Sequence, residues 1–194
     1  IYSFFPSQVL TQFPSNGVKN MVSSELIYYH IIQWGHVDGT GVMIGYQKIL
    51  DSMIELYITK GFRKYVLKHK LSHIPKNDPL EKSFHQVIEK KYILSVWRLY
   101  WILKNIHNHA TLFWYQKYFF EYLKSRTFLQ KALLETDFLL QLQRLTDLHA
   151  LWEKRHSGTL SAEDTKTARN ILIGNFQNQN CLLYILAESQ SVDL

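Results

Sequence analysis

The sequence has little that could cross-link the chain or anchor it in a membrane. Cys181 is its single cysteine, so no disulfide forms within the chain, and small disulfide-bonded secreted domains are excluded. The same scarcity favours the cytoplasm or another reducing compartment. The most apolar stretch, 92–103, contains Ser95 and Arg98 and is shorter than the roughly eighteen apolar residues that predict a membrane span. Residues 1–6 have no basic group ahead of an apolar run, so they are not expected to form a signal peptide.

The composition is that of a folded domain. Hydrophobic residues make up 46% of the 194 residues and charged residues 20%, which excludes an intrinsically disordered chain. Aromatic residues make up 14%, and their rings bury large areas in cores and interfaces. A chain of this length forms an ample core, so its stability requires no metal.

Helical periodicity predicts an all-α fold. We expect an irregular N-terminal arm over residues 1–22 and a single helical domain over residues 23–194, built as a bundle of about six to eight helices. The first helix is expected to end near Trp34, with a buried strand over 26–34 as the alternative. The candidate docking residues of the arm are Phe4, Phe5 and Phe13.

Two helices can be placed by their end signals. An apolar stripe over 42–57, with steps of three and four residues, predicts one helix, which Gly61 is expected to end. Asp78 as N-cap, Pro79 at the first helical position and Glu81 at the third predict the start of the next.

That next helix is expected to cover 79–104. Beyond Tyr92 it is apolar nearly all round, which predicts a buried central spine with Trp97 in the core. A long pattern over 128–155 predicts a further helix. Ser161 with Asp164 predicts the start of the last helical region, which Gly174 bends or splits.

Positive charge is concentrated in the middle of the chain. The net charge is +6, yet residues 56–131 hold fifteen basic and four acidic residues, while 1–55 and 132–194 are each net negative. Residues 56–77 hold six basic residues and no acidic one. Like charges so close together repel one another. They indicate either a surface for an anionic partner or a helix face neutralised by acids elsewhere in the fold.

A short basic helix is expected to follow Gly61 and to end near His73, and the basic residues fall along one side of it. Lys60, Lys64 and Lys68 recur at four-residue steps, with Arg63 and Lys70 close to the same face. We predict that these five residues contact an anionic partner, either an acidic protein, which we favour, or a nucleic acid or a phospholipid headgroup. The alternative is neutralisation within the fold. The acidic candidates for this neutralisation include Asp51, Glu55 and the pair Glu135 and Asp137.

An Arg-x4-His spacing suggests a second function. Arg144 and His149 match the spacing of the motif of the HEPN family, and the segment resembles that family of all-helical ribonucleases. The resemblance implies that His149 exchanges protons near neutral pH and that Arg144 steadies the RNA phosphate, without a metal. It covers this short motif only, and Leu145 stands where the family usually has a polar residue.

Other candidate sites are weaker. The nine histidines include no His-Glu-x-x-His string, and the lysines beside His69 oppose a dication, so we expect no metal site and no cofactor. Gly39, Gly41 and Gly45 cluster around Thr40 but lack both the P-loop and the dinucleotide-binding strings. A connector is therefore expected there, and a phosphate site at a helix N-terminus is the alternative.

These patterns together predict a non-enzymatic binding or adaptor module that presents a basic surface to an anionic partner. One alternative is a metal-independent ribonuclease that uses Arg144 and His149. The other is a structural subunit of a larger assembly, which the aromatic content allows because assembly subunits share apolar surfaces with their neighbours.

Overall fold

The computed structural model describes residues 5–34, 38–71, 78–90, 92–108, 111–153, 160–174 and 180–191, without the side chains at 32, 149–153 and 191. Within these ranges the chain is helical and has no strand, which confirms the predicted all-α class. No described helix combines the length and the apolar character needed to cross a membrane. The helices are α1 Ser7–Leu10, α2 Gly17–Trp34, α3 Thr40–Met53, α4 Lys60–Lys68, α5 Pro79–Glu89, α6 Val96–His107, α7 Trp114–Lys124, α8 Thr127–Leu134, α9 Thr136–Glu153, α10 Ala162–Ile173 and α11 Leu182–Ser191.

The number of helices exceeds the six to eight expected. A π-helical segment, Ile54–Thr59, joins α3 to α4 without a break, so the described ranges hold ten separate helices. The predicted helices 79–104 and 128–155 are each divided in two. Glu135 divides the second of them because its backbone is extended, with ψ of 139°.

The N-terminal arm packs onto the core, as its phenylalanines suggest. Phe5 and Phe13 are buried, and their rings meet edge to face with centroids 5.3 Å apart. Phe4 lies outside the described residues. The arm is more helical than expected, since it contains α1 and the start of α2. The helical state of α2 also excludes the alternative strand over 26–34.

Local end signals are confirmed at three places. Asp78 Oδ1 accepts hydrogen bonds from two backbone N–H groups in the first turn of α5, each at 2.9 Å, and Pro79 holds the first helical position. Ser161 Oγ accepts a bond from the Asp164 N–H at 3.1 Å and begins α10. Such caps satisfy amides that have no partner inside the helix, and each contributes about 1 kcal/mol. Gly174, with φ of 79°, ends α10.

The helix expected to stop at Gly61 continues to Lys68. Gly61 has a different role, because a Cβ atom there would clash with the Tyr122 hydroxyl. That hydroxyl donates to the Tyr57 carbonyl at 3.2 Å. The glycine therefore permits the close approach of α7, and α4 carries the basic residues onward from α3.

The prediction of a fully buried central helix beyond Tyr92, with Trp97 in the core, is wrong. Residues 92–95 are not helical, and Ser95 caps the separate helix α6. Trp97 is 49% exposed, although Tyr100 and Leu103 of the same helix are buried. The sequence misleads because α6 is apolar on several sides but packs mainly against α9. Truncation of Trp97 is therefore not expected to open a cavity in the core.

An aromatic cluster fixes the orientation of α4. Phe62 is buried, and its ring meets Phe84 of α5 and Phe119 of α7 edge to face, with both centroid distances at 5.2 Å. Each such pair contributes about 0.5–1.5 kcal/mol beyond the area that it buries. Because this side of α4 faces α5 and α7, its opposite side faces solvent.

Candidate anion-binding surface

The solvent side of α4 carries the predicted lysines. Lys60, Lys64 and Lys68 are exposed at successive turns of the helix, and exposed Lys70 follows its end. We call these four residues the lysine face. Among the described residues, no carboxylate forms an ion pair with any of the four ammonium groups. No ion pair with a described carboxylate therefore reduces the repulsion between these four charges.

Arg63, the fifth predicted contact residue, is turned into the fold. Its Nη1 lies 3.6 Å from Glu55 Oε1, while its Nε donates to the Val87 carbonyl at 3.0 Å. Its Nη2 donates to the Tyr92 carbonyl at 3.5 Å. The neutralisation expected from flanking acids thus applies to Arg63. The Val87 carbonyl belongs to the last turn of α5, so Arg63 also anchors α4 beside the end of that helix.

Lys70 occupies a backbone conformation that favours glycine. Its φ is 51°, in the left-handed region. The Leu71 N–H donates to the Val66 carbonyl at 3.0 Å, and the Lys70 N–H donates to the Leu67 carbonyl at 3.2 Å. These two bonds form a Schellman motif, in which the left-handed residue is usually glycine. A side chain at this position costs about 1 kcal/mol.

We expect Lys70→Gly to raise the free energy of unfolding by about 1 kcal/mol, because glycine adopts the left-handed conformation without a steric penalty. Lys68→Gly is the matched control. Lys68 is also exposed but lies within α4, so the same change there is expected to lower stability by about 0.5–1 kcal/mol. Urea unfolding followed by circular dichroism measures both, and effects of the same sign would contradict the assignment.

The glycine-rich connector is held by an acidic side chain. Asp38 Oδ1 accepts bonds from the Thr40 N–H at 3.0 Å, the Thr40 hydroxyl at 2.7 Å and the Leu160 N–H at 2.8 Å. Partial burial acts to raise the pKa of Asp38, but these hydrogen bonds lower it below its usual value. A carboxylate thus occupies the N-terminus of α3, where a phosphate would have to bind. This favours the interpretation of the glycine-rich segment as a connector over the alternative of a phosphate-binding site.

The described ranges support neither a metal site nor a reactive cysteine. No three histidine, cysteine, aspartate or glutamate side chains converge there as metal ligands. Cys181 is buried, and burial raises the pKa of its thiol to about 12. The thiol is therefore protonated near neutral pH and is a poor nucleophile.

The ribonuclease hypothesis stays untested. Arg144 is exposed on α9, whereas the side chain of His149 lies outside the description, so their relative placement is not defined. A groove of about 410 Å³ lies between α8 and α11, with Lys131, Glu135 and Tyr184 among its lining residues. Arg144 does not line this groove, which therefore lends the hypothesis no support.

Sequence reasoning missed an exposed apolar face on α2. Its residues are Val22, Leu26, Ile27, Tyr29 and Trp34. The available signal was that apolar residues surround the axis of this helix, a pattern that also allows the alternative of a buried strand over 26–34. Exposed apolar patches often mark interaction sites, so this is the face that the assembly alternative would use.

Comparison with known proteins finds no match: no family model, no curated protein and no solved structure is similar to this chain. The HEPN resemblance accordingly stays limited to the spacing of Arg144 and His149.

Proposed function

We propose that this chain is a non-enzymatic binding module whose lysine face contacts an anionic partner. The observation that carries the proposal is the exposure of four lysines on one side of α4 and just beyond it, without an ion pair to any described carboxylate. An anionic ligand would relieve their repulsion. Binding driven by this relief weakens as the salt concentration rises.

The packing of α4 supports a presented surface. On the buried side of α4, the ring of Phe62 packs against α5 and α7. Arg63 holds the adjoining side of the helix through Glu55 and two backbone carbonyls. The lysine face is therefore held on a supported helix, and less conformational entropy is lost when it binds. In this proposal Arg63 holds α4 in place and does not itself contact the partner, because its charge is neutralised by Glu55.

The identity of residue 70 supports the proposal independently. Glycine would be more stable in the left-handed conformation that Lys70 adopts, yet a basic side chain stands there. Strained backbone positions of this kind are found most often where function requires a particular side chain. A contact between the Lys70 ammonium and an anionic partner would explain why lysine occupies this position.

The test is charge reversal with a matched control. The variant K64E/K68E/K70E and the control K19E/K48E/K166E each change the net charge from +6 to 0, because every Lys→Glu change removes two charges. All six lysines are exposed, and the control residues lie on α2, α3 and α10. Both variants should keep wild-type helicity and stability.

The two variants should differ in binding to heparin, to polyuridine RNA and to phosphatidylserine vesicles. For whichever probe the wild type binds, K64E/K68E/K70E should weaken the interaction by about 100-fold, and the control should weaken it by less than about tenfold. Equal losses in the two variants would show a general effect of net charge and would refute the lysine face as the contact surface.

A further inference from the structure

Exposed apolar side chains lie on α4 beside the lysines and in the segment before α6. Leu67 lies between Lys64 and Lys68 on α4, and 64% of its surface is exposed. Tyr92 and Ile93, in the non-helical segment before α6, are 54% and 45% exposed. Scattered exposed apolar residues need no explanation, but apolar residues grouped with lysines do.

The contacts of Arg63 bring these residues to one side of the molecule. Its Nη2 donates to the Tyr92 carbonyl at 3.5 Å, so the backbone of Tyr92 lies near the edge of α4 that Arg63 occupies. Leu67 follows Arg63 by one helical turn and lies on that same edge. Leu67 and the backbone of Tyr92 therefore lie at the same edge of α4 as Arg63.

The chemistry of this surface distinguishes between anionic partners. Of the three exposed apolar residues, only Tyr92 has a π-face that can stack on a base, whereas Leu67 and Ile93 have none and cannot take part in such stacking. The free cations are lysines, whose compact charge does not offer the bidentate fork with which arginine recognises phosphate and bases. Lysines beside exposed leucine, isoleucine and tyrosine are instead the combination that interfacial membrane proteins use.

We propose that the partner of the lysine face is an anionic membrane surface. In this arrangement Lys60, Lys64, Lys68 and Lys70 contact lipid headgroups, while Leu67, Tyr92 and Ile93 enter the boundary between headgroups and acyl chains. The attachment is peripheral and reversible, and it depends on anionic lipid. The inference rests on the proposed function, because it names the partner of the same surface.

The face of α2 provides a matched control for the apolar contribution. Leu26 and Ile27 are 61% and 46% exposed, close to the values for Leu67 and Ile93. Helix α2 packs against α3 and α10, and no charged residue other than Glu25, which pairs with Arg169, lies between Val22 and Trp34. The variants L67S/I93S and L26S/I27S therefore remove the same groups from surfaces that differ in their lysines.

The experiment is vesicle co-sedimentation of the full chain. Wild type should bind phosphatidylcholine vesicles that contain about 30% phosphatidylserine, a strongly anionic surface, and should not bind phosphatidylcholine alone. L67S/I93S should reduce the partition coefficient about tenfold, because two apolar side chains no longer leave water. L26S/I27S should bind like wild type. Circular dichroism checks that both variants fold.

Three results would overturn the inference. If wild type binds polyuridine RNA and not the anionic vesicles, the membrane assignment fails and the proposed function stands. If L67S/I93S binds vesicles like wild type while K64E/K68E/K70E does not, the lysines bind the lipid headgroups but the insertion of apolar side chains is refuted. If wild type binds neither of these probes nor heparin, both fail together.

Discussion

Glu81→Ala is expected to lower the free energy of unfolding by about 3–5 kcal/mol. Glu81 lies on α5 with none of its surface exposed. Its Oε2 accepts a bond from the Tyr115 N–H and its Oε1 accepts one from the Gln116 N–H, both at 3.1 Å. These amides belong to the first turn of α7 and have no partner within that helix. The alanine variant removes the carboxylate that accepts from these two buried donors at the positive end of the helix dipole.

Glu121→Ala is the matched control for this prediction. Glu121 lies on α7 itself, is exposed, and pairs with Lys124 at 2.8 Å. An exposed pair of this kind contributes little, so a loss below about 0.5 kcal/mol is expected. The loss of unfolding free energy in Glu81→Gln should fall between those of the two alanine variants. The glutamine amide oxygen accepts one bond, but its N–H group lies against the other donor. Urea denaturation with far-UV circular dichroism measures all three. Similar stabilities of the Glu81→Ala and Glu121→Ala variants would show that Glu81 does not hold α7.

Arg169→Met is expected to lower the free energy of unfolding by about 3 kcal/mol. Arg169 Nε and Nη2 donate to the two oxygens of Glu25 at 2.8 and 2.7 Å, and Nη1 donates to the Gly174 carbonyl at 3.1 Å. The Tyr46 hydroxyl donates to the same carboxylate. Burial and the charge of Glu25 raise the pKa of Tyr46, so it remains a donor at neutral pH. Loss of the guanidinium leaves a largely buried carboxylate without its cation.

A double-mutant cycle separates the lost pair from lost packing. Glu25→Gln removes the charge but keeps an oxygen that accepts from Tyr46. We expect the double variant R169M/E25Q to be more stable than the sum of the single changes predicts, by about 2 kcal/mol, because neither charge is then left alone. Additive effects in urea unfolding would contradict this. This pair joins α2 to α10, so its loss should also expose the α2–α10 contact to proteolysis.

Sequence reasoning succeeded where the decisive chemistry lies within one turn of chain. Asp78 and Ser161 cap their helices as predicted because a short polar side chain reaches amides only two or three residues away. The all-α class followed from periodicity for the same reason. The exposure of the lysines on α4 was also predictable, because Phe62 and Val66 mark the opposite, buried side of that helix.

The failures arise from contacts between residues distant in sequence. Glu81 carries a local capping signal, yet its carboxylate binds amides of α7 more than thirty residues later. Arg63 is one of several similar cations in the sequence, and only the fold places Glu55, Val87 and Tyr92 around it. Trp97 is apolar and surrounded by apolar residues, but the number of helices that cover α6 is set by the whole bundle.

Lysine footprinting on the unmodified protein tests the central claim most directly. Acetylation with a water-soluble N-hydroxysuccinimide ester, with and without heparin, is quantified at each lysine by mass spectrometry. We predict several-fold protection of Lys60, Lys64, Lys68 and Lys70, lost in high salt, with no protection of the exposed controls Lys19, Lys48 and Lys166. Equal protection of all these lysines, or protection of the controls alone, would contradict the assignment of the lysine face as the contact surface.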